Sequence, residues 1–305
     1  MGNDKRIQAK SLNEYVAIIT SLNDAPIEVG CTQKKLVFRG LSNAEYKLVP
    51  SVQRYPSEHL MNSLVSKELD LIEQAQLRFP NAYSDAYPVL RLAKLQHYGI
   101  PTRMMDVTTN ALVALYFACQ NSKDNPHVAG EVIVFSDYMY TAFSSIANAI
   151  ADTATFSLNA YMSIKTFYYR VSQQPYYVRR KYPDDSKYQG KVLERFCNAL
   201  KEPVIVDVGN ITERQKYQQG KFIVFPNAIR MIGNELMLTD NLVELPKDSD
   251  MVVKRIIIDK DAKEEILLQL QRFGITKDFL FSDSMDTVNA EIVEQVKRLY
   301  SCENW

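Results

Sequence analysis

The chain of 305 residues has few of the residues that build common metal and phosphate-binding sites. Its three histidines are too few for a multi-histidine metal centre, and its four cysteines lie far apart without C-x-x-C spacing. The ten glycines form no G-x-x-x-x-G-K-[ST] or G-x-G-x-x-G loop, and no H-E-x-x-H or G-x-S-x-G motif occurs. The sequence therefore predicts reduced thiols, no metal site and none of the commonest enzyme classes.

Excess charge and long apolar runs are missing as well. The 36 Lys and Arg residues balance the 36 Asp and Glu residues, so no net charge attracts nucleic acid or an anionic membrane. No apolar run is long enough to cross a bilayer, and residues 1–10 lack a signal-peptide core. We expect a cytoplasmic protein without a membrane partner.

The 46% of apolar residues is enough to bury a large core. Apolar spacing predicts helices over 11–21, 60–77, 89–98, 111–120, 261–273 and 286–300, and strands over 35–38, 131–135, 203–208, 221–225 and 251–258. Residues 101–109 are predicted as a polar loop between two helices, and residues 141–199 as a helical insertion. Because no linker divides the chain, we predict one α+β domain over 1–305, with a mixed central β-sheet flanked by helices.

Two short segments contain the polar residues of greatest interest. Phe38-Arg39-Gly40 closes the first predicted strand, and residues 96–109 (QHYGIPTRMMDVTT) lead into the helix predicted from residue 111. A strand end and a helix N-terminus both present uncommitted donors. These segments are therefore suited to an anionic ligand with many hydroxyl groups.

Four motifs resemble the FRG domain family, which is named after its first tripeptide. The motifs are Phe38-Arg39-Gly40, Tyr46-x-Leu48-x-Pro50-Ser51 with Arg54, Gln96-His97-Tyr98-Gly99-x-Pro101-Thr102-Arg103-x-x-Asp106, and Arg214-x-x-x-Gln218-Gln219-Gly220-x-Phe222. The resemblance extends from about residue 30 to the end of the chain. FRG domains occur mostly in bacterial and phage-related proteins and have no assigned activity, so this resemblance implies a family more than a function.

The motif order also resembles ADP-ribosyltransferases of the Arg-Ser-Glu type. Arg39 ends a strand, Thr108-Thr109 precede an apolar helix, and Gln218-Gln219 stand before an apolar strand, where those enzymes have glutamate. The resemblance implies a split-sheet fold, NAD as substrate, and ADP-ribosyl transfer to a macromolecule or NAD hydrolysis in a toxin or phage-defence effector. Without the glutamate, slow transfer, binding without turnover, and a carboxylate from Asp106 or Glu213 all remain open.

The two resemblances together imply a set of site residues. The catalytic candidates are Gln218, Gln219, Asp106 and His97. The candidates for binding NAD are Arg39, Gly40, Tyr98, Thr102, Arg103 and Thr108. A guanidinium matches phosphate oxygens, and a carboxylate stabilises the oxocarbenium-like state of glycosidic cleavage. We expect these residues to converge on one cleft.

Structural roles are the alternative for these residues. Arg39 could pair with a carboxylate in the core, and His97-Tyr98 could cap the end of a helix. Arg103 and Asp106 could form a local ion pair, while Asp106 or Thr108 could cap the next helix. The glutamine pair at 218–219 could be only a turn. A non-enzymatic module that binds a nucleotide or nucleic acid is therefore the alternative function.

A further segment interleaves aromatic and cationic residues. It comprises Tyr168-Tyr169-Arg170 and Tyr176-Tyr177-x-Arg179-Arg180-Lys181-Tyr182. Such a surface could stack bases and contact phosphates, and would then dock a nucleic-acid or protein acceptor. Helices of this composition also pack against proteins, and Asp184-Asp185 partly offset the charge.

Overall fold

The structure is a computed structural model and describes residues 5–22, 34–54, 64–122, 125, 127–155, 162–178 and 189–281. The strands are β1 (Arg6–Ala9), β2 (Lys35–Leu41), β3 (Met104–Thr108), β4 (Gly130–Asp137), β5 (Met139–Thr141), β6 (Met162–Ser163), β7 (Val204–Asp207), β8 (Gly220–Val224), β9 (Asn227–Ile232), β10 (Glu235–Leu242) and β11 (Val252–Ile258). The helices are α1 (Leu12–Thr20), α2 (Glu68–Arg78), α3 (Pro88–His97), α4 (Ala111–Cys119), α5 (Ser145–Asp152), α6 (Ile164–Ser172), α7 (Pro175–Val178), α8 (Gln189–Ala199), α9 (Glu213–Tyr217), α10 (Lys263–Arg272) and α11 (Lys277–Leu280).

A large mixed sheet forms the centre of this α+β fold. Its eight strands lie in the order β1-β11-β4-β2-β3-β8-β7-β5. The two outermost pairs, β1 with β11 and β5 with β7, are parallel, and the pairs between them are antiparallel. Helices pack on the sheet, so the prediction of a mixed central sheet flanked by helices is confirmed.

The ladder between β2 and β3 is short. β2 pairs with β4 along all seven of its residues, whereas Phe38 and Thr108 form its one residue pair with β3. On its other side, β3 pairs with β8 along its whole length. The sheet therefore opens beyond Phe38 and Thr108, and the adjoining residues of β2 and β3 lie on opposite sides of a gap.

On one face of the sheet, the apolar core is divided at this gap. There the apolar residues form two clusters, one on β2, β4 and β11 beneath α1, α4 and α10, and the other on β3, β7 and β8 beneath α2, α3 and α5–α8. A third cluster, with Met105, Val107 and Ile133 among its members, covers the opposite face. One face of the sheet is thus continuous, and the other is divided at the gap.

Helix α4 lies unusually close to β2 and β4. A Cβ atom on Gly40 would overlap the carbonyl oxygen of Ala114, and a Cβ on Gly130 would overlap that of Ala118. The two strands therefore need glycine where the helix crosses them. The helix has little polar surface because the sheet covers one side and α10 packs on it as well.

Two predictions about the polar segments were wrong. Residues 104–108 are the central strand β3 and not a loop between helices, because Met105 and Val107 alternate with Asp106 and bury their side chains under the continuous face. In addition, β2 continues to Leu41, so Arg39 lies inside a strand and not at its end.

Other elements were not predicted, or differ from the prediction in their bounds. Strand β1 and the β9–β10 hairpin were not predicted, and β9 and β10 form a second sheet with β6. Helix α2 begins at Glu68 after a 3₁₀ turn over Leu64–Lys67, and residues 60–63 lie outside the described part of the chain. The helix predicted over 286–300 also lies outside the described residues. Within 141–199 the described residues are mostly helical, in α5–α8, and the assignment of one domain stays a prediction.

None of the helices in the described residues combines the length and apolar character that a membrane span requires.

Candidate active site

A cavity of about 260 Å³ lies on the divided face of the sheet. Its apolar wall includes Phe38 and Val113 from one core cluster, and Ala93 and Phe222 from the other. Its polar wall includes the predicted residues Arg39, His97, Asp106, Thr108 and Gln218, together with the backbone of Gly40. Residues that are as far apart in the sequence as Phe38 and Phe222 therefore meet at the gap between β2 and β3.

Arg39 bridges the gap. Its Nη1 donates to the backbone carbonyl of Asp106, where a regular ladder would place a backbone N–H. Its Nε is buried and has no hydrogen-bond partner in the described part of the chain. Burial, together with the charge of Arg54, lowers the pKa of Arg39 to about 10, against a smaller opposing effect of the Asp106 carboxylate. The cavity wall thus contains a guanidinium that the described residues satisfy only in part.

Asp106 and Thr108 lie on the cavity side of β3. The Asp106 side chain is exposed. The Thr108 hydroxyl donates to the carbonyl of Gln218 over 2.6 Å and accepts the N–H of Asn110 over 2.9 Å. Asn110, not Thr108 or Asp106, caps α4. Thr108 therefore joins β3 to the turn before β8, whereas the carboxylate of Asp106 is available to a ligand.

His97 and Tyr98 are located at the end of α3. Nδ1 of His97 lies 3.5 Å from the hydroxyl of Thr212, and its ring lines the cavity. Tyr98 is 66% exposed and contacts the rings of His97 and Tyr83 edge to face, with centroids 4.9 and 6.3 Å away. Tyr98 does not line the cavity, so His97 is the member of this pair that can meet a ligand there.

The two glutamines before β8 have different surroundings. Gln218 lines the cavity, but its Nε2 donates to the carbonyl of Leu280 over 3.0 Å. Gln219 is exposed, adopts a positive φ of 46° and accepts the N–H of Thr109 at its backbone carbonyl. Both residues thus help to form the turn, and Gln219 lies outside the cavity wall.

Thr102 and Arg103 lie in the core and not on the cavity wall. Arg103 is 1% exposed, and its guanidinium pairs with Glu68 and donates to the side chains of Asn227 and Thr153. Its ion pair is with Glu68, so the local pair with Asp106 that the spacing allowed does not form. Arg103 fixes the start of β3 from behind the cavity.

The wall contains four further polar residues that were not among the predicted site residues: Gln96, Arg214, Gln215 and Lys221. Gln96 and Arg214 belong to the quoted FRG motifs, which was a usable signal, whereas nothing in the sequence distinguishes Lys221. Lys221 pairs with Asp207 at 2.8 Å, and the Arg214 guanidinium lies 4.7 Å from the ring centre of Phe281. Both cations add positive charge near Arg39.

The tyrosines of the aromatic and cationic segment are largely packed in the helical region. Tyr176 is 4% exposed and donates its hydroxyl to Asp152, and the Tyr168 ring contacts those of Tyr177 and Phe196. Tyr169 is exposed. Residues 179–188 lie outside the described residues, so most of the predicted cationic part of this surface has no structural description.

The residues described by the structure contain no group of three or more His, Cys, Asp or Glu side chains arranged to hold a metal ion. The polar groups of the cavity are guanidinium, ammonium, amide, imidazole, the hydroxyl of Thr108 and a single carboxylate from Asp106. This set of donors suits an organic anion better than a cation.

Comparison with known proteins identifies one domain. The chain contains an FRG domain, because the family model of that name matches residues 34–127. The matched range includes Arg39, His97 and Asp106, and ends before Gln218. The predicted FRG resemblance is confirmed over this range. Comparisons with curated proteins and with solved structures give no match.

Proposed function

We propose that this FRG-domain protein binds a phosphate-bearing nucleotide, with NAD as the candidate substrate, in the cavity between β2 and β3. The observation that carries the proposal is the state of Arg39: a guanidinium on a cavity wall whose Nε is buried without an acceptor in the described residues. A partly buried cation with an unpaired donor gains most from anionic oxygens, and phosphate supplies them in the geometry that a guanidinium prefers.

The charge of the wall supports an anionic ligand. Arg214 and Lys221 lie on the same wall as Arg39, and among the described residues Asp106 is the one acidic side chain that lines it. Asp207 offsets the charge of Lys221, so the cations of the wall that stand beside its carboxylate are Arg39 and Arg214. Its volume of about 260 Å³ is slightly below the roughly 300–1,000 Å³ of sites that enclose a whole ligand. We propose that one ribose with its nicotinamide enters, while the remainder of NAD extends over the rim.

The resemblance to ADP-ribosyltransferases supports NAD in particular. The segments that resemble those enzymes are the strand with Arg39, the Thr108-Thr109 block before α4, and the Gln218-Gln219 turn before β8. Arg39, Thr108 and Gln218 all lie on the wall of the cavity. The split-sheet fold of those enzymes would correspond to the gap between β2 and β3.

In the proposed reaction, the bond between C1′ of the ribose and the nicotinamide nitrogen breaks, and its electron pair leaves with nicotinamide. Asp106 faces the ribose and stabilises the positive charge that develops on it. An oxygen nucleophile, from water or from a macromolecule, then bonds to C1′ and gives its proton to Asp106 or His97. An enzyme that consumed NAD or modified a macromolecule in this way could act as a toxin or phage-defence effector.

One observation favours binding without cleavage as a second candidate. The amide of Gln218 donates a hydrogen bond to the carbonyl of Leu280, and it carries no negative charge like that of the transferase glutamate. The two functions share the nucleotide site, and they differ in whether Asp106 stabilises the transition state.

Release of nicotinamide from NAD distinguishes these candidates. Wild-type protein should release nicotinamide, and Asp106→Asn should release it about a hundredfold more slowly, because an amide cannot stabilise the developing charge. Asp250→Asn changes an exposed aspartate in the turn before β11 and should match the wild type. NAD binding without release by the wild type would favour the binding module, and equal rates in both variants would remove Asp106 from the reaction.

A further inference from the structure

We infer that Gln96 determines ligand specificity in this cavity, by donating a hydrogen bond from its Nε2 to a neutral oxygen of the ligand. This inference rests on the proposed nucleotide site and adds a second point of recognition to Arg39. Gln96 lies in the last turn of α3 and contributes to the cavity wall.

The orientation of the Gln96 amide is set by hydroxyl groups behind it. Its Oε1 lies 2.5 Å from the hydroxyl of Thr102 and 3.2 Å from that of Ser51. The Thr102 hydroxyl also accepts the N–H of Met104, so its proton is free to point at Gln96. With the oxygen of the amide turned toward these hydroxyls, its nitrogen is the atom left for another partner.

That nitrogen has no partner in the described residues. Nε2 of Gln96 is buried and unpaired, as is Nε of Arg39, and both side chains line the same cavity. A buried donor without an acceptor destabilises the folded protein, so few such groups persist without a reason. Two of them on one wall indicate a ligand with an acceptor for each.

The two donors select different chemistry. Arg39 is charged and matches an anionic phosphate oxygen, whereas the neutral amide of Gln96 matches a hydroxyl or carbonyl oxygen without drawing an ion into a buried position. In NAD, the ribose hydroxyls and the carbonyl of the nicotinamide carboxamide are neutral acceptors of this kind. A ligand with phosphate alone would leave Gln96 unpaired, so we expect inorganic pyrophosphate to bind more weakly than NAD.

Gln96→Glu tests the inference, because it replaces the donor with an acceptor and still accepts the hydrogen bond from Thr102. Calorimetric titration with NAD should show affinity roughly 10- to 100-fold lower than that of the wild type. Gln96→Met removes the donor without adding charge and should also lower affinity at least about tenfold. Gln271→Glu makes the first change at an exposed position of α10 and should bind NAD like the wild type. Thermal unfolding identifies the variants that remain folded.

A parallel titration with ADP-ribose, which lacks nicotinamide, identifies the acceptor. Loss of affinity for both ligands assigns Gln96 to a ribose hydroxyl, and loss for NAD alone assigns it to the carboxamide carbonyl; either result supports the inference. Wild-type affinity for NAD in folded Gln96→Glu and Gln96→Met would overturn it while leaving the nucleotide site intact. If the wild type itself fails to bind NAD, the proposed function is contradicted as well.

Discussion

Arg39 donates a hydrogen bond to the backbone carbonyl of Asp106 across the gap between β2 and β3. The guanidinium thereby supplies a donor to a strand carbonyl that has no backbone partner on β2. The contact also holds the guanidinium at the cavity wall. The same contact fixes the backbone from which the carboxylate of Asp106 extends. The gap in the sheet therefore leaves room for the Arg39 side chain, and the hydrogen bond across the gap positions both charged groups.

The pKa of Arg39 gives a pH dependence that few arginine sites would have. Its guanidinium has a pKa of about 10, so NAD affinity should fall as the pH rises through that value, and should be roughly tenfold lower at pH 11 than at pH 8. Because this pKa is below that of the unfolded chain, the charged guanidinium lowers the stability of the ligand-free protein below pH 10. This destabilisation diminishes as the pH rises further. Titrations at pH 8, 9, 10 and 11 measure the affinity.

Lys221→Gln is the control for this dependence, since Lys221 is another cation of the wall. The variant keeps Arg39 and should show the same fall in affinity. If the fall disappears in Lys221→Gln, Arg39 is not its cause.

Gly40→Ala should destabilise the protein strongly. The new Cβ would overlap the carbonyl of Ala114, so α4 must move away from β2, and we expect a loss of about 3 kcal/mol in the free energy of unfolding. Gly233→Ala is the matched control: its φ is +60° and open space surrounds it, so it should lose about 1 kcal/mol. Urea unfolding measures both variants. Equal losses would show that the close packing of α4 is not needed.

Much of the site could be predicted because local motifs contain its residues. The strand pattern around Arg39 and the apolar run of α4 are visible over short windows, and α4 begins directly after the strand that contains Asp106. A close packing of that helix on β2 then brings Arg39 and Asp106 together. Motif order was therefore sufficient to indicate that they lie close together.

The rest depends on contacts between distant residues. Arg103 and Asp106 occur in one polar motif, and the sequence predicts both as site residues. Arg103 is nevertheless buried, because Glu68, 35 positions earlier, pairs with it. Strand β3 was missed because its polar residues suggested a loop, and the neighbour that makes it a strand, β8, follows more than 100 residues later. Tertiary partners decided both cases, and a single sequence does not identify them.

Gln218→Glu tests whether this position replaces the glutamate of the transferases. The structure ties its amide to Leu280, so the substitution should lower the free energy of unfolding by about 2 kcal/mol, because a carboxylate would face a carbonyl. Gln219→Glu, at an exposed neighbour, should change it by less than about 0.5 kcal/mol. Nicotinamide release should not rise in either variant if Asp106 supplies the carboxylate; a large rise in Gln218→Glu would assign that role to position 218.

Calorimetric titration of NAD into the wild type, Arg39→Gln and Arg272→Gln tests whether the cavity binds a nucleotide through Arg39. Arg272 is exposed at the end of α10 and serves as the matched arginine control. We expect saturable binding at one site in the wild type and in Arg272→Gln. In Arg39→Gln the affinity should fall at least about thirtyfold, because the charge-assisted hydrogen bonds to phosphate are gone. Absence of binding in the wild type, or equal affinity in a folded Arg39→Gln, would contradict nucleotide binding through Arg39.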